Sequence, residues 1–353
     1  GSTSGNKIIL DGSTDVKQTV YGGLAKNRES DVTREMASGN KVTVTGEAKV
    51  ENTNKASLGN IVGGYTNLGN VDGNTVTVDS MAGQSGLVIV GGYTYQGNAR
   101  ALTNTWGFLG NVVTLAGNSS YSKVTGGYTN SGDAINNQVI LDGKDKATFA
   151  SVYGGYTATG NANENTITVQ NNADTKDLLY AGYSASGNAD SNKLIVTKGT
   201  GIQGYAGYTN SGEAASNAIT FDKGTMGTTL VSGYTKSGAA HDNTVTVDGG
   251  SSTAATNTLY AGKTDAGSAY NNKITINNTD TAGVGNLIAG QSDQKAYNNE
   301  IDINDGTVAT AIAGQSTAAS VEGNILRIAG GTVSMAYGGF AAAGAATGNP
   351  AYF

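Results

Sequence analysis

One unit recurs along most of this chain and leaves few folds open to it. Tyr153–Val169 reads YGGYTATGNANENTITV, Tyr180–Val196 reads YAGYSASGNADSNKLIV, and Val231–Val247 reads VSGYTKSGAAHDNTVTV. Each copy sets a small residue and a Gly before an aromatic position. A second Gly follows four residues later, an Asn nine residues later, and then an alternating apolar pentapeptide. The Asn marks the unit at positions 6, 40, 74, 111, 137, 165, 192, 217, 243, 272, 299, 324 and 349. From Asn111 onward the steps are 25 to 29 residues, whereas the first three are 34, 34 and 37, so the N-terminal third carries insertions. A fixed period in this range is the mark of a stacked repeat.

The second and fourth residues after each Asn are large and apolar: Val76 and Val78, Ile167 and Val169, Leu194 and Val196, Ile301 and Ile303. The first and third vary, as in Thr75 and Thr77, Lys193 and Ile195, or Glu300 and Asp302. Period-two alternation of β-branched residues predicts a strand with one buried face. Each buried side chain of this column contributes about 1.5–3 kcal/mol. A second strand leads into the aromatic position. Gly stands directly before that position in every copy from Gly64 to Gly339, which implies a conformation or a closeness of approach that a Cβ forbids. We read it as a corner. The aromatic column runs Tyr65, Tyr93, Tyr128, Tyr156, Tyr183, Tyr208 and Tyr234, then becomes Lys263, Gln291, Gln315 and Phe340. Lys and Gln do not replace a core side chain, so this column faces solvent or lies at an edge. Both residues ahead of the small-Gly pair are often apolar (Val152 and Tyr153, Leu179 and Tyr180), which leaves the inward face of the second strand open.

A unit of about 27 residues cannot bury its apolar face alone, and parallel stacking of successive units solves this. The expected fold is all-β: a right-handed parallel β-helix (β-solenoid) of about 12–13 coils. At ~4.8 Å per coil this makes a rod roughly 60 Å long. It is read as one domain over 1–353, with insertions in the coils of 1–110, regular coils over 111–349 and a truncated end at 350–353. A propeller does not fit the period, and a leucine-rich repeat does not fit the absence of a Leu frame. The Asn column (Asn137, Asn165, Asn192, Asn217, Asn243, Asn272, Asn299 and Asn324) then forms a structural ladder. Each amide donates to the next coil's carbonyl, a bond worth a net ~0.5–1.5 kcal/mol, and Asn tolerates left-handed backbone geometry. The alternative for this column is a glycan groove.

Composition narrows the function. Net charge is −6 with a pI near 4.8, which argues against nucleic-acid partners. No run of 18 apolar residues exists, so no helix of this stretch is expected to insert into a membrane. No signal-peptide pattern opens the chain, and Gly1-Ser2 has the form left by a tag-removing protease, so it reads as an excised fragment. Cys is absent, which excludes disulfides, thiolate metal sites and Cys nucleophiles. A chain that crosses a membrane unfolded gains from having no thiols to cross-link.

Repeated GGYTxSGxAxxNxVxV units with one Pro, no Cys and a β-helix period resemble the passenger region of a Gram-negative autotransporter (type V secretion) adhesin. The resemblance covers nearly the whole chain and rests on repeat style and composition. It implies a non-enzymatic adhesin or structural stalk, displayed on the bacterial cell surface or secreted, and exported through a C-terminal membrane barrel. The implied partners are a host surface receptor or glycan, or like rods on neighbouring cells.

Few residues suggest chemistry. His241 is the only His, so catalytic triads and His-based zinc sites are excluded, and it reads as a solvated turn residue. No phosphate-binding Gly-Lys loop and no calcium nonapeptide occurs, so no metal or cofactor is expected. β-Helices also carry polysaccharide lyases and glycosidases, which makes a carbohydrate-active enzyme the alternative function. Its best candidate pair, Glu300 and Asp302, lies in register with Lys273 and Arg327 one coil to either side, which favours cross-strand ion pairs over a glycosidase pair. The outward Thr pairs are interrupted by Gln138/Ile140 and Lys193/Ile195, against an ice-binding array. The Tyr128, Tyr156, Tyr183, Tyr208 and Tyr234 column is either a stack of rings or a platform for sugar rings. Two insertions break the period: Lys26–Glu35, a charged run, and Ala101–Leu109, which holds the only Trp. Insertions in a solenoid leave as loops that either bind a partner or cap the coils. Trp106 and Phe108, separated by one Gly, are the candidate binding residues there.

Overall fold

The computed structural model describes residues 1–26, 34–51, 58–100, 102–104, 107–252, 257–280 and 283–353. Among them the regular elements are strands, with no helix. The chain forms two compact units, Gly1–Tyr183 and Ser184–Phe353, each built from stacked parallel coils.

A coil has three sides. In the first unit the strand after one Asn, Gln138–Asp142, is followed by the long strand Thr148–Thr157 that carries the glycine-tyrosine pattern. The two-residue strand Ala162–Asn163 comes next and leads to the following Asn. Equivalent residues lie beside each other in successive coils, as in Val76↔Val113, Val113↔Val139 and Val139↔Ile167. The second unit repeats this with Leu194↔Ile219, Ile219↔Val245, Val245↔Ile274 and Ile274↔Ile301. The alternation of the sequence is the alternation of the wall. Val76, Val78, Ile167, Val169, Leu194, Val196, Ile301 and Ile303 are at most 1 % exposed, while Lys193 is exposed. The parallel β-solenoid read from the repeat is thus the fold of both units.

The glycine before each tyrosine is not a chain corner. It lies within a continuous strand, and at none of these positions is φ positive. The cause is proximity across the coil. A Cβ on Gly92 would sit 2.6 Å from Asn111 Oδ1, and one on Gly127 or Gly155 would overlap the amides of Asn137 or Asn165. The residue before it also faces inward and is small: Gly154 in one coil, where a Cβ would overlap Ala181 O of the next, and Ala181 or Ala206 in others. Two successive inward residues make the in–out alternation slip. Val152 points in, Tyr153 out, Gly154 and Gly155 in, Tyr156 out and Thr157 in. This assigns the face that the sequence leaves open.

The Asn column is a buried ladder in both units. Asn137 Nδ2 donates to Asn165 Oδ1 (3.0 Å) and Asn217 Nδ2 to Asn243 Oδ1 (3.0 Å). The series continues Asn243–Asn272–Asn299–Asn324 at 2.8–2.9 Å, and Asn192 donates to Asn217 at 3.1 Å. The second amide hydrogen reaches back to a backbone carbonyl of the preceding coil's short strand, as Asn137 does to Ala99 O and Asn165 to Ala134 O. The acceptor in the next coil is thus a side-chain carbonyl. The left-handed residue is not the ladder Asn but the one before it: Asn136, Glu164, Ser191, Ser216, Asp242, Asn271 and Asn298 have φ of 55–59°.

A second polar ladder was not anticipated. The hydroxyl residue after each tyrosine position is buried. Thr157 Oγ1 donates to Gly132 O (2.6 Å) and accepts from the N–H of Gly160 (3.0 Å), and Thr94, Thr129, Thr235 and Thr264 repeat the pattern. The signal for it was the unbroken run of Thr or Ser at that position, from Thr66 to Ser316.

Candidate functional site

The outward face of the glycine-tyrosine strands carries the aromatic column. In the first unit Tyr65, Tyr93, Tyr128, Tyr156 and Tyr183 stack with ring centroids 4.6–5.5 Å apart and planes within 10° of parallel. In the second unit Tyr208 stacks on Tyr234 at 5.0 Å. Parallel in-register strands bring identical side chains to the coil spacing, which suits ring stacking. The rings are half-buried, and burial pushes the Tyr93 hydroxyl up to about 12, with the neighbouring tyrosines adding to the shift. Burial raises Tyr128 and Tyr156 in the same direction. The Tyr234 hydroxyl is raised by burial and by the hydrogen bond it donates to Asp265 Oδ2 at 2.6 Å.

A second aromatic column, left unassigned by the sequence, runs beside the first. Tyr153 and Tyr180 stack at 5.1 Å and meet Tyr156 and Tyr183 edge-on, with planes 86–87° apart. Tyr205 meets Tyr208 in the same way. The recurrence of Tyr three residues before the column tyrosine was the available signal. Within the stacks the ring faces are turned to their neighbours, so a partner meets ring edges and hydroxyls. A sugar ring stacking face-on needs a gap in a column.

The Trp insertion leaves the coil as an antiparallel hairpin, Leu102–Asn104 paired with Gly107–Leu109, with Phe108 opposite Thr103. Trp106 lies outside the described residues, as does most of the charged run after Lys26. The ladder passes the hairpin without interruption: Asn74 donates to Asn111 (2.9 Å) and Asn111 to Asn137 (2.8 Å).

The acidic candidates are held in ion pairs. Lys273 lies 2.7 Å from Glu300 and 2.6 Å from Asp302, and Arg327 lies 2.7 and 3.0 Å from the same two carboxylates. Burial pushes the Asp302 carboxyl up, but hydrogen bonds with Lys273, Glu300 and Arg327 outweigh it and hold the group below the ordinary carboxylate range. His241 is not a solvated turn residue. It lies in the short strand Ala240–His241, stacked on Tyr270 at 4.7 Å, with Nδ1 2.7 Å from Asp242 and Nε2 3.6 Å from Glu213. One carboxylate stands apart. Asp72 is 2 % exposed, its Oδ1 accepts no hydrogen bond, and Arg100 Nε is 3.6 Å away. Burial raises its pKa to about 6 against the pull of Arg100. Among the described residues no group of acidic side chains and His is arranged to hold a metal ion.

No protein-family model, no curated protein and no solved structure matches this chain.

Proposed function

We propose that the protein is a non-enzymatic β-helical passenger domain, a surface-displayed or secreted stalk that carries an adhesive site. The observation that carries this reading is the hairpin at 102–109. It departs from the parallel coil in antiparallel pairing and sits where neither the Asn ladder nor the inward apolar column requires it. Short loops on a rigid scaffold are where binding residues concentrate, and the segment contains Trp106 and Phe108, aromatic types enriched at protein interfaces. The coil surfaces repeat nearly the same pattern and suit a scaffold. The pairing of Glu300 and Asp302 with Lys273 and Arg327 favours a structural role for these acids over a glycosidase pair. The repeat style and the absence of Cys agree with an autotransporter passenger at the bacterial surface.

Deletion of Ala101–Leu109 restores the nine-residue spacing from Tyr93 to Asn111 and tests the reading. Beads coated with the intact chain should attach to cultured host cells or to a glycan array. The shortened chain should keep its melting temperature and lose attachment. Attachment that survives the deletion, with a fall in melting temperature, makes the hairpin a cap and overturns it as the site.

A further inference from the structure

The outer aromatic column of the first unit has a gap. In register it reads Tyr21, Val62, Val90, Thr125, Tyr153 and Tyr180, so three coils carry a small residue where a ring stands in the coils on either side. The inner column is unbroken beside it through Tyr65, Tyr93 and Tyr128. The result is a notch of about 200 Å³ with Val90 and Thr125 at its floor, the edges of Tyr93 and Tyr128 on one wall, and Val88 and Lys123 on the other; Leu58 closes its rim.

The geometry points to a binding site for a single aromatic ring that carries a carboxylate. A ring placed above Thr125 takes the position that Tyr153 and Tyr180 take in their own coils. It would meet Tyr128 edge-on, as Tyr153 meets Tyr156 at 5.6 Å and 86°, with Lys123 lying between it and the Tyr153 face. The volume fits: an apolar cavity of ~150 Å³ takes up benzene, and the notch adds room for a substituent. The charge fits as well. Lys123 is exposed, its Nζ stands 5.8 Å above the Tyr153 ring, and no carboxylate among the described residues pairs with it. The long lysine stem lets the ammonium swing from the ring face to an incoming anion. A sugar acid suits the site less. Apart from Thr125 and the lysine, the lining is apolar side chains and ring edges, so several sugar hydroxyls would be buried without partners.

The test is saturation-transfer NMR on the whole chain with 4-hydroxyphenylacetate as probe, p-cresol as its neutral counterpart and glucuronate as the sugar acid. The ring protons of 4-hydroxyphenylacetate should receive saturation at millimolar probe. Binding of p-cresol should be a few-fold weaker, and glucuronate should show none. Lys123→Gln, an exposed change that leaves the fold intact, should bring the acid down to the level of p-cresol and abolish the salt dependence of its binding. Thr125→Tyr supplies the missing ring and should abolish binding while raising the melting temperature. The site is refuted by absence of saturation in the unaltered chain, by glucuronate binding as well as the aryl acid, by equal binding to Lys123→Gln, or by binding that persists in a folded Thr125→Tyr.

Discussion

The contact between Gly127 and Asn137 is the sharpest test of how the coils hold together. Asn137→Ala removes four hydrogen bonds: those donated to Ala99 O (2.9 Å) and Asn165 Oδ1 (3.0 Å), and those accepted from Asn111 N (3.3 Å) and Asn111 Nδ2 (2.8 Å). At ~0.5–1.5 kcal/mol net for each bond, the loss is roughly 2–6 kcal/mol. The backbone bond from Asn137 N to Asn165 Oδ1 survives, so one link to the Asn165 coil remains while the side-chain ladder is cut on both sides. Gly127→Ala places a Cβ into the Asn137 amide from the facing strand. Its φ is not positive, so the cost is overpacking, about 1–3 kcal/mol. In the double variant the new methyl occupies space that the amide has vacated. The overpacking cost then vanishes, and the pair should cost at least ~1 kcal/mol less than the sum of the singles. Urea unfolding followed by far-UV circular dichroism measures this from the midpoints at unchanged slope. Additivity within ~0.5 kcal/mol would show that the glycine is required for some reason other than the asparagine.

Three further outcomes follow from the same geometry. Val196→Asp puts an unpaired carboxylate on the inward column and should cost several kcal/mol, whereas Lys193→Ala on the exposed face should stay within ~0.5 kcal/mol; Lys193→Ala proving the more damaging in a denaturation series would mean the strand is inside out. Asp72 has a folded-state pKa of about 6, above its ordinary 3.8, so its protonated form favours the fold and that contribution is lost as pH rises from 4 through 6. Asp72→Asn should therefore be more stable than the parent at pH 7.5 by roughly 2–3 kcal/mol and equal to it at pH 4, as read from thermal midpoints across pH. Asp302, held low, acts in the opposite direction: its contribution is present above pH 4 and lost as pH falls through the folded value. Lys273→Ala should reduce neutral-pH stability by no more than ~1 kcal/mol and flatten the acid limb; an unchanged acid limb in a pH titration of unfolding would rule out the ion cluster as its source.

Much of this protein is legible along one strand at a time. The step between asparagines marks the coil, and the alternation at Val76 and Val78 or Ile167 and Val169 marks the buried face. A fixed register also predicts which residues meet in neighbouring coils, so the pairing of Lys273 with Glu300 and of Arg327 with Asp302 is legible in the sequence alone. Other features depend on what crosses behind the strand. A glycine that recurs before each tyrosine reads as a conformational need, yet its φ is ordinary, and only the folded coil shows the Asn amide that fills the place of its Cβ. The outward turn of Tyr153, the buried hydroxyl of Thr157 and the left-handed residue before asparagines such as Asn137 and Asn165 have the same origin. Each is decided by the sides of the coil closing on one another, a relation between residues distant along the chain that no local period encodes. The gap between Tyr21 and Tyr153 appears only when the coils are set in register, because a missing ring is visible only beside the rings that would have touched it.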